Sequence, residues 1–566
     1  MRTLLLPLAL LAAPGAVHAQ VTPSKGGSPE ALRPLAPCVR GEWEPAFQHD
    51  ISTFTNPPPP EAFGLFNAIH LALIPVGPER GKVLTMDRAL VEEYPAQRQR
   101  AAVLDLSATL APAFQNFEIP MPAAGEDGFE LFCSGHVWLP SGELLLAGGT
   151  LSHSEAGPGD DAGALGVSLT YTWDATTGTD ATTGVVGTWT RQPDLLEARY
   201  YPTTVLTGTD DVVVLGGTGG PDGHSLNNYE VWRTDAGAWQ PTGTGLPFDG
   251  PSVSLHGYPR MTLLSSGELL LSGMETCAQL LDHGLAPGVW TAADCSPGPT
   301  FHFYNSSVLF PGLTDVVWKV GGLVINEQND VSMNPVFELD LSAGTTSGAA
   351  WELVPQPAVA RSHANVVILP NGDLFLTGGY AGTGEVDDDG ILTGADVVLP
   401  LRPELYSQLH GQWFQLAPAV SPRDYHSSAL LLPDGRVLTA GGDIRLVDYQ
   451  VYRPWYLTCG EPRPVLLDAP ANMKYQNETG QTYDIEHEVM PGEDVVEKAV
   501  LVAPGSVTHH SDFQQRYVEL PIVQQSEDEL RVRGPDSSNH APRGTYMLFL
   551  ISAKGIPSEA GWVRLK

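Results

Sequence analysis

Positive charge is scarce. The 566 residues carry 30 Lys+Arg against 65 Asp+Glu, a formal net charge of −35. A surface that acidic repels phosphate backbones and anionic headgroups, which argues against nucleic acid and membrane surfaces as partners. Beyond the N-terminus no run of about 18 uncharged apolar residues occurs, so no membrane-crossing helix is expected. Long amphipathic helical patterns are missing as well. Cysteine is sparse and odd in number: Cys38, Cys133, Cys277, Cys295 and Cys459. What is plentiful is turn chemistry, with 60 Gly and 49 Pro in a chain that is 42% hydrophobic. That composition suits an all-β protein with many turns.

Residues 1–19 read as a signal peptide: Arg2, a short apolar stretch over 4–11, and the small-residue cleavage pattern Val17-His18-Ala19 before Gln20. No cysteine follows the cleavage point, so a lipid anchor is not expected, and the chain is expected to be exported and released. Residues 20–37 read as a linker rich in Pro, Ser and Gly. Export makes disulfides possible, and an odd cysteine count leaves one thiol needing another role.

A strand ending in glycine recurs along the chain. Copies stand at 142–149, 212–217, 267–273, 316–322, 372–379 and 435–442, with a weaker one at 81–86. Several follow a turn, as in Pro370-Asn371-Gly372 and Pro433-Asp434-Gly435. Seven copies spaced by roughly 50–70 residues predict a seven-bladed kelch-like β-propeller over 38–460. The pattern stops near Cys459. Alternating strands from 461 to 566 predict an immunoglobulin-like β-sandwich of the E-set kind.

Four stretches could carry chemistry. Three precede repeat strands: Phe132-Cys133-Ser134-Gly135-His136, Ala198-Arg199-Tyr200-Tyr201-Pro202 and Pro422-Arg423-Asp424-Tyr425-His426. The fourth, Val507-Thr508-His509-His510-Ser511-Asp512, lies in the C-terminal domain. Residues at the same point of different blades can meet at one mouth of the ring. Two imidazoles with two phenols suit copper, which favours nitrogen and tolerates mixed N,O ligation. A thiol beside a tyrosine, with copper and dioxygen, can form a thioether, and a phenol bearing an ortho sulfur is easier to oxidise.

These four stretches, in this order, resemble the copper radical oxidases of the galactose oxidase and glyoxal oxidase family. The resemblance runs from about Gly41 to Lys566. It implies a secreted enzyme that converts a primary alcohol or aldehyde, with dioxygen, to the aldehyde or acid plus hydrogen peroxide. It implies copper held by Tyr201, Tyr425, His426 and His509, and a Cys133–Tyr201 thioether as the self-derived cofactor. Tyr425 would take the substrate's hydroxyl proton, the Tyr201 radical the hydrogen from carbon, and copper the second electron. The substrate would be a small alcohol, aldehyde or carbohydrate, and the enzyme a monomer. Two departures are visible. The propeller begins shortly after Cys38, so the N-terminal carbohydrate-binding domain of fungal galactose oxidases is expected to be absent. No tryptophan stands in 216–220 or just after Gly321-Gly322, so the aromatic shield of the cross-linked tyrosine is unassigned.

Plainer readings stand beside these. Cys133 could be an inert buried thiol. Tyr201 and Tyr425 could be structural, with Arg199 and Arg423 ion-paired to a neighbouring blade. Either His509 or His510 could ligate, and His136 and His363 have no assigned role. Asp387-Asp388-Asp389-Gly390 reads as an acidic hairpin, not a calcium loop. The competing function is a non-catalytic secreted propeller that binds glycan or protein. A sialidase-like hydrolase is disfavoured, since no repeated Ser-x-Asp-x-Gly-x-x-Trp boxes occur. If Cys133 is consumed by Tyr201, three pairings of the other four cysteines remain; Cys277–Cys295 and Cys38–Cys459 are expected.

Overall fold

The computed structural model describes residues 37–50, 66–87, 99–107, 112–119, 129–151, 166–219, 224–241, 257–272, 277–284, 288–295, 304–324, 330–332, 335–345, 349–386, 392–442, 448–488 and 495–566. Residues 1–19, read above as a signal peptide, most of the stretch read as a linker, and the 387–390 acidic stretch fall outside them. Among the described residues the fold is all β, with α-helix only at Trp455–Thr458 and Gln476–Thr479.

Seven antiparallel sheets follow one another along the described chain. Their first strands are His70–Leu73, Gly135–Trp138, Thr203–Leu206, Met261–Leu263, Ser306–Leu309, Asn365–Ile368 and Ser427–Leu431. The glycine-ended repeats form the second strands, among them Val212–Leu215 and Leu374–Thr377, buried at every position. Such strands lie between neighbouring sheets and have no solvent face, so they read as continuous apolar runs rather than alternating ones. Each buried Val or Leu contributes about 1.5–3 kcal/mol relative to exposure. The turn before such a strand needs a left-handed residue. Gly372 and Gly435 supply it at φ 88° and 90°.

The first strand of each sheet packs beside that of the next, from Gly135–Trp138 round to Ser427–Leu431 and on to His70–Leu73. The two chain ends of this circuit share its last sheet. Glu42–Trp43 and Phe47–Gln48 pair with Asp448–Arg453, and a Cys38–Cys459 disulfide joins the same region across 421 residues. Cys277 stands opposite Cys295 in the register of Cys277–Asp282 and Val289–Cys295, but the side chains of both lie outside the described residues.

The C-terminal segment forms two sheets, one of four strands and one of five, around a separate apolar core that includes Ile485, Leu501, Leu530 and Leu548. One hairpin leaves this sandwich. Its strand Ser506–Thr508 pairs with His70–Leu73 and also lies against Gly135–Trp138 and Ser427–Leu431. It therefore occupies the axis where the first strands converge.

Candidate metal and radical site

The hairpin delivers two histidines to that axis. Thr508 faces Ser511 across a two-residue turn, and His509 and His510 both take left-handed backbone angles, φ 47° and 55°. Two positive φ values are what a tight type I′ hairpin demands, and Asn-Gly usually supplies them. Histidine there costs about 1–2 kcal/mol per residue, a strain typical of functional sites.

The residues facing this turn share one position. Cys133, Tyr201, Tyr304, His363 and Tyr425 each stand two residues before the first strand of their sheet. Tyr258 stands three before its own. All but Tyr425 have left-handed φ between 53° and 62°. Backbone bonds link some of them in sequence: the Tyr201 amide donates to Cys133 O (3.1 Å), Tyr258 to Tyr201 O (3.0 Å) and His363 to Tyr304 O (2.9 Å). At five of these six steps a left-handed residue turns its side chain toward the axis.

Three potential metal ligands converge. Atoms of Cys133, His426 and His509 lie within 4.8 Å of one another, all buried. Cys133 Sγ is 3.2 Å from His509 Nε2, and His509 Nδ1 is 2.6 Å from Thr508 Oγ1. The His426 ring is 4.4 Å from that of His509. The Tyr201 and Tyr425 rings stand edge-on to His509 at 5.1 and 5.5 Å, and 6.5 Å from each other. Of the adjacent histidines, His509 enters the cluster. His510 is held elsewhere, accepting from Arg260 Nη2 at 2.7 Å.

Burial sets the electrostatics. It holds His509 well below the ordinary histidine range, helped by His426 and His70 nearby, so its imidazole is neutral and can donate an electron pair. Burial likewise pushes the Tyr201 phenol well up, with the Cys133 and Tyr200 side chains adding to the effect. In this pocket a phenolate needs a cation beside it.

Sequence reasoning missed several neighbours. Tyr200 covers Tyr201, with ring centroids 4.0 Å apart and its hydroxyl donating to Tyr201 Oη at 3.2 Å. Tyr258 meets Tyr201 edge-on at 5.2 Å. Both are aromatic neighbours of Tyr201, at positions other than 216–220 and the segment after Gly322 where no tryptophan was found. His136 does have a partner set: the Cys133 amide donates to His70 Nε2 (3.2 Å), His70 Nδ1 lies 3.1 Å from His136 Nε2, and His136 Nδ1 2.6 Å from Ser506 Oγ. Because His70 Nε2 accepts, its Nδ1 carries the proton, and the same logic fixes the tautomer of His136. Burial keeps both neutral, His136 pushed down to about 3. His363 stacks on Tyr304 at 4.1 Å.

The arginine expectation needs correction. Arg199 and Arg423 do form ion pairs, with Glu230 at 3.0 Å and Asp448 at 3.2 Å. Both acids, however, belong to the sheet that the arginine's own segment enters, not to a neighbouring blade. Arg361 and Glu404 repeat the device at 2.9 Å. The signal was present in the sequence: an arginine two residues before Tyr201, His363 and Tyr425 alike.

A β-propeller circuit carrying a β-sandwich with a histidine hairpin defines a class before any comparison is made. Residues 463–565 match the family described as Galactose oxidase-like, Early set domain. The chain is 29% identical over 413 residues to a galactose oxidase of Gibberella zeae, covering 67% of this chain and 56% of that protein. It is 30% identical over 241 residues to the aldehyde oxidase GLOX of Vitis pseudoreticulata, covering 39% and 44%. A fungal alcohol oxidase of the AA5 family, solved in complex with copper, superposes with a TM-score of 0.72 at 18% identity, over 93% of this chain and 100% of that one. The chain is thus similar to galactose oxidases and GLOX aldehyde oxidases, and it spans about half the length of these two proteins.

Proposed function

We propose that the protein is an exported copper radical oxidase that takes a primary alcohol or aldehyde to the next oxidation level and reduces dioxygen to hydrogen peroxide. The observation that carries this reading is the convergence of Cys133, His426 and His509 with two phenols around one buried point. The donor set fits copper: neutral imidazole nitrogen together with phenol oxygen. Tyr201, Tyr425, His426 and His509 would hold the ion, which when bound would supply a one-electron redox partner beside the tyrosine.

The chain's own residues account for the remaining steps. Tyr425, buried next to His426, is the base that receives the substrate's hydroxyl proton. Tyr201, as its oxidised radical, takes the hydrogen atom from the adjacent carbon. Cys133, whose carbonyl accepts the Tyr201 amide, is the sulfur donor to that ring. Tyr200 and Tyr258 pack on Tyr201 and keep water from it. We further propose cleavage after Ala19, a propeller over 38–460, a sandwich over 461–566 and a monomeric enzyme. The Cys38–Cys459 disulfide supports export to an oxidising compartment.

One contact favours a second reading of a single residue. With Cys133 Sγ 3.2 Å from His509 Nε2, the thiolate itself could ligate copper, leaving Tyr201 unmodified. The deciding experiment loads the purified chain with copper under air, then measures metal content and peroxide release with primary alcohols and aldehydes. Peroxide formation that needs copper supports an oxidase. A chain that takes up no copper would return the protein to a non-catalytic binding role.

A further inference from the structure

Five arginines among the described residues expose less than a tenth of their surface: Arg199, Arg260, Arg361, Arg423 and Arg516. Three of them face a carboxylate within 3.2 Å. The other two, Arg260 and Arg516, have no carboxylate partner among the described residues, and both line the same cavity. It lies around the hairpin, between the first strands of the propeller and the sandwich, with an empty volume of about 900 Å³, mouth included.

No carboxylate among the described residues lies within ion-pair distance of either guanidinium, and the acid that acts on Arg516, Asp315, does so without direct contact. Arg260 donates from Nε to Asn305 O (2.8 Å), from Nη1 to Tyr258 O (2.5 Å) and from Nη2 to His510 (2.7 Å), all neutral acceptors. Arg516 donates from Nη2 to Leu263 O at 2.9 Å. The acid of the cavity wall, Asp512, turns Oδ1 to the amides of Ser506 and Gln514. A guanidinium has five N–H donors and does not lose its proton in a protein. A buried charge without a counter-charge is costly.

We propose that this cavity binds a small oxyanion, a carboxylate or a phosphate, between Arg260 of the propeller and Arg516 of the sandwich. The planar fork of a guanidinium matches such an anion in two parallel hydrogen bonds. One arginine comes from each domain, so the anion pins the sandwich to the ring. The site needs no copper, although two of its wall residues, Tyr258 and His510, also border the His509 cluster.

The test uses the full-length, metal-free chain. Its melting temperature is followed against sodium acetate and sodium phosphate in separate titrations, with sodium chloride at equal ionic strength as reference. A saturable rise of several degrees is expected with at least one of the two oxyanions, and which one responds separates carboxylate from phosphate. Arg516→Gln should abolish the rise, and Arg516→Lys should keep part of it. An equal rise in Arg516→Gln, or none in the wild type, overturns the proposal. Should Arg516→Gln fail to fold, wild-type crystals soaked in selenate decide: an anomalous peak between the two guanidiniums is required, and its absence there refutes the site.

Discussion

Replacing Glu230 with glutamine tests what the blade arginines do. Arg199 is fully buried, and Glu230 accepts its Nε–H at 3.0 Å as well as the amides of Leu196 (2.6 Å) and Glu197 (3.2 Å). Glu230→Gln keeps the shape and one carbonyl acceptor but removes the negative charge bonded to that guanidinium among the described residues. Arg199 also bonds Gly216 O at 2.8 Å and Asn228 Oδ1 at 2.7 Å, so it cannot swing out to water without breaking the sheet entry. Stranding a buried charge in this way costs about 3–5 kcal/mol. Arg199→Met in the Glu230→Gln background should recover most of that loss, because an apolar side chain of similar volume needs no counter-charge. The assay is urea unfolding of all four members of the cycle, with copper content measured in parallel. Arg199 lies two residues before Tyr201, so copper uptake should fall in Glu230→Gln. A loss below about 1 kcal/mol, in the range of an exposed pair, would refute the reasoning, as would a double variant less stable than Glu230→Gln alone.

Other outcomes follow from the same geometry. Copper and dioxygen should couple Cys133 to Tyr201: the thiol and the ring each lose one hydrogen, dioxygen becomes hydrogen peroxide, and the linked peptides weigh about two hydrogens less than their sum. A free Cys133 thiol after that treatment would favour the thiolate-ligand reading instead. His509→Ala should lose copper while His510→Ala retains it, by metal analysis of folded protein; the reverse result would shift the ligand by one position. Burial pushes the Asp512 carboxyl up to about 6. A folded pKa above the unfolded one means its contribution is whole below about pH 4 and is lost as pH rises through 6. Asp512→Asn, which mimics the protonated acid, should therefore leave the melting temperature unchanged near pH 4 and raise it at pH 7. An equal shift at both pH values would refute that sign.

The propeller was legible because its second strands are buried on both faces, which writes a continuous apolar run ending in glycine, as at 212–217 and 372–379. Cys133, Tyr201, Tyr425 and His426 could be named because short stretches of recognisable order surround them. Tyr258 and Tyr304 occupy comparable positions, yet nothing in Gly257-Tyr258-Pro259 or Tyr304-Asn305-Ser306 separates a site tyrosine from a structural one. His70 was invisible for a different reason. Its partners, Cys133 and His136, lie 63 and 66 residues away, and only the folded ring brings them together. Between His509 and His510 the residues alone left both open and only the family resemblance pointed to His509; the contact that draws His510 away involves Arg260, 250 residues from it.

The left-handed residues explain why such a site belongs on this fold. A strand entering the centre of a propeller normally sends alternate side chains into the neighbouring sheets, which leaves the axis lined by backbone. A left-handed residue just before five of the seven first strands breaks that alternation and aims a side chain inward, at a cost of about 1–2 kcal/mol. Cys133, Tyr201, Tyr258, Tyr304 and His363 each carry that cost, and His509 and His510 carry it again on the opposing hairpin. Glycine would relieve the strain at any one of them but would leave no side chain at the axis. The ring tolerates the strain because the buried second strands on either side hold each entry point. Within such a frame, three sheets and the hairpin of a separate sandwich present thiol, phenol and imidazole groups to one point, a density of chemistry that no single blade could assemble.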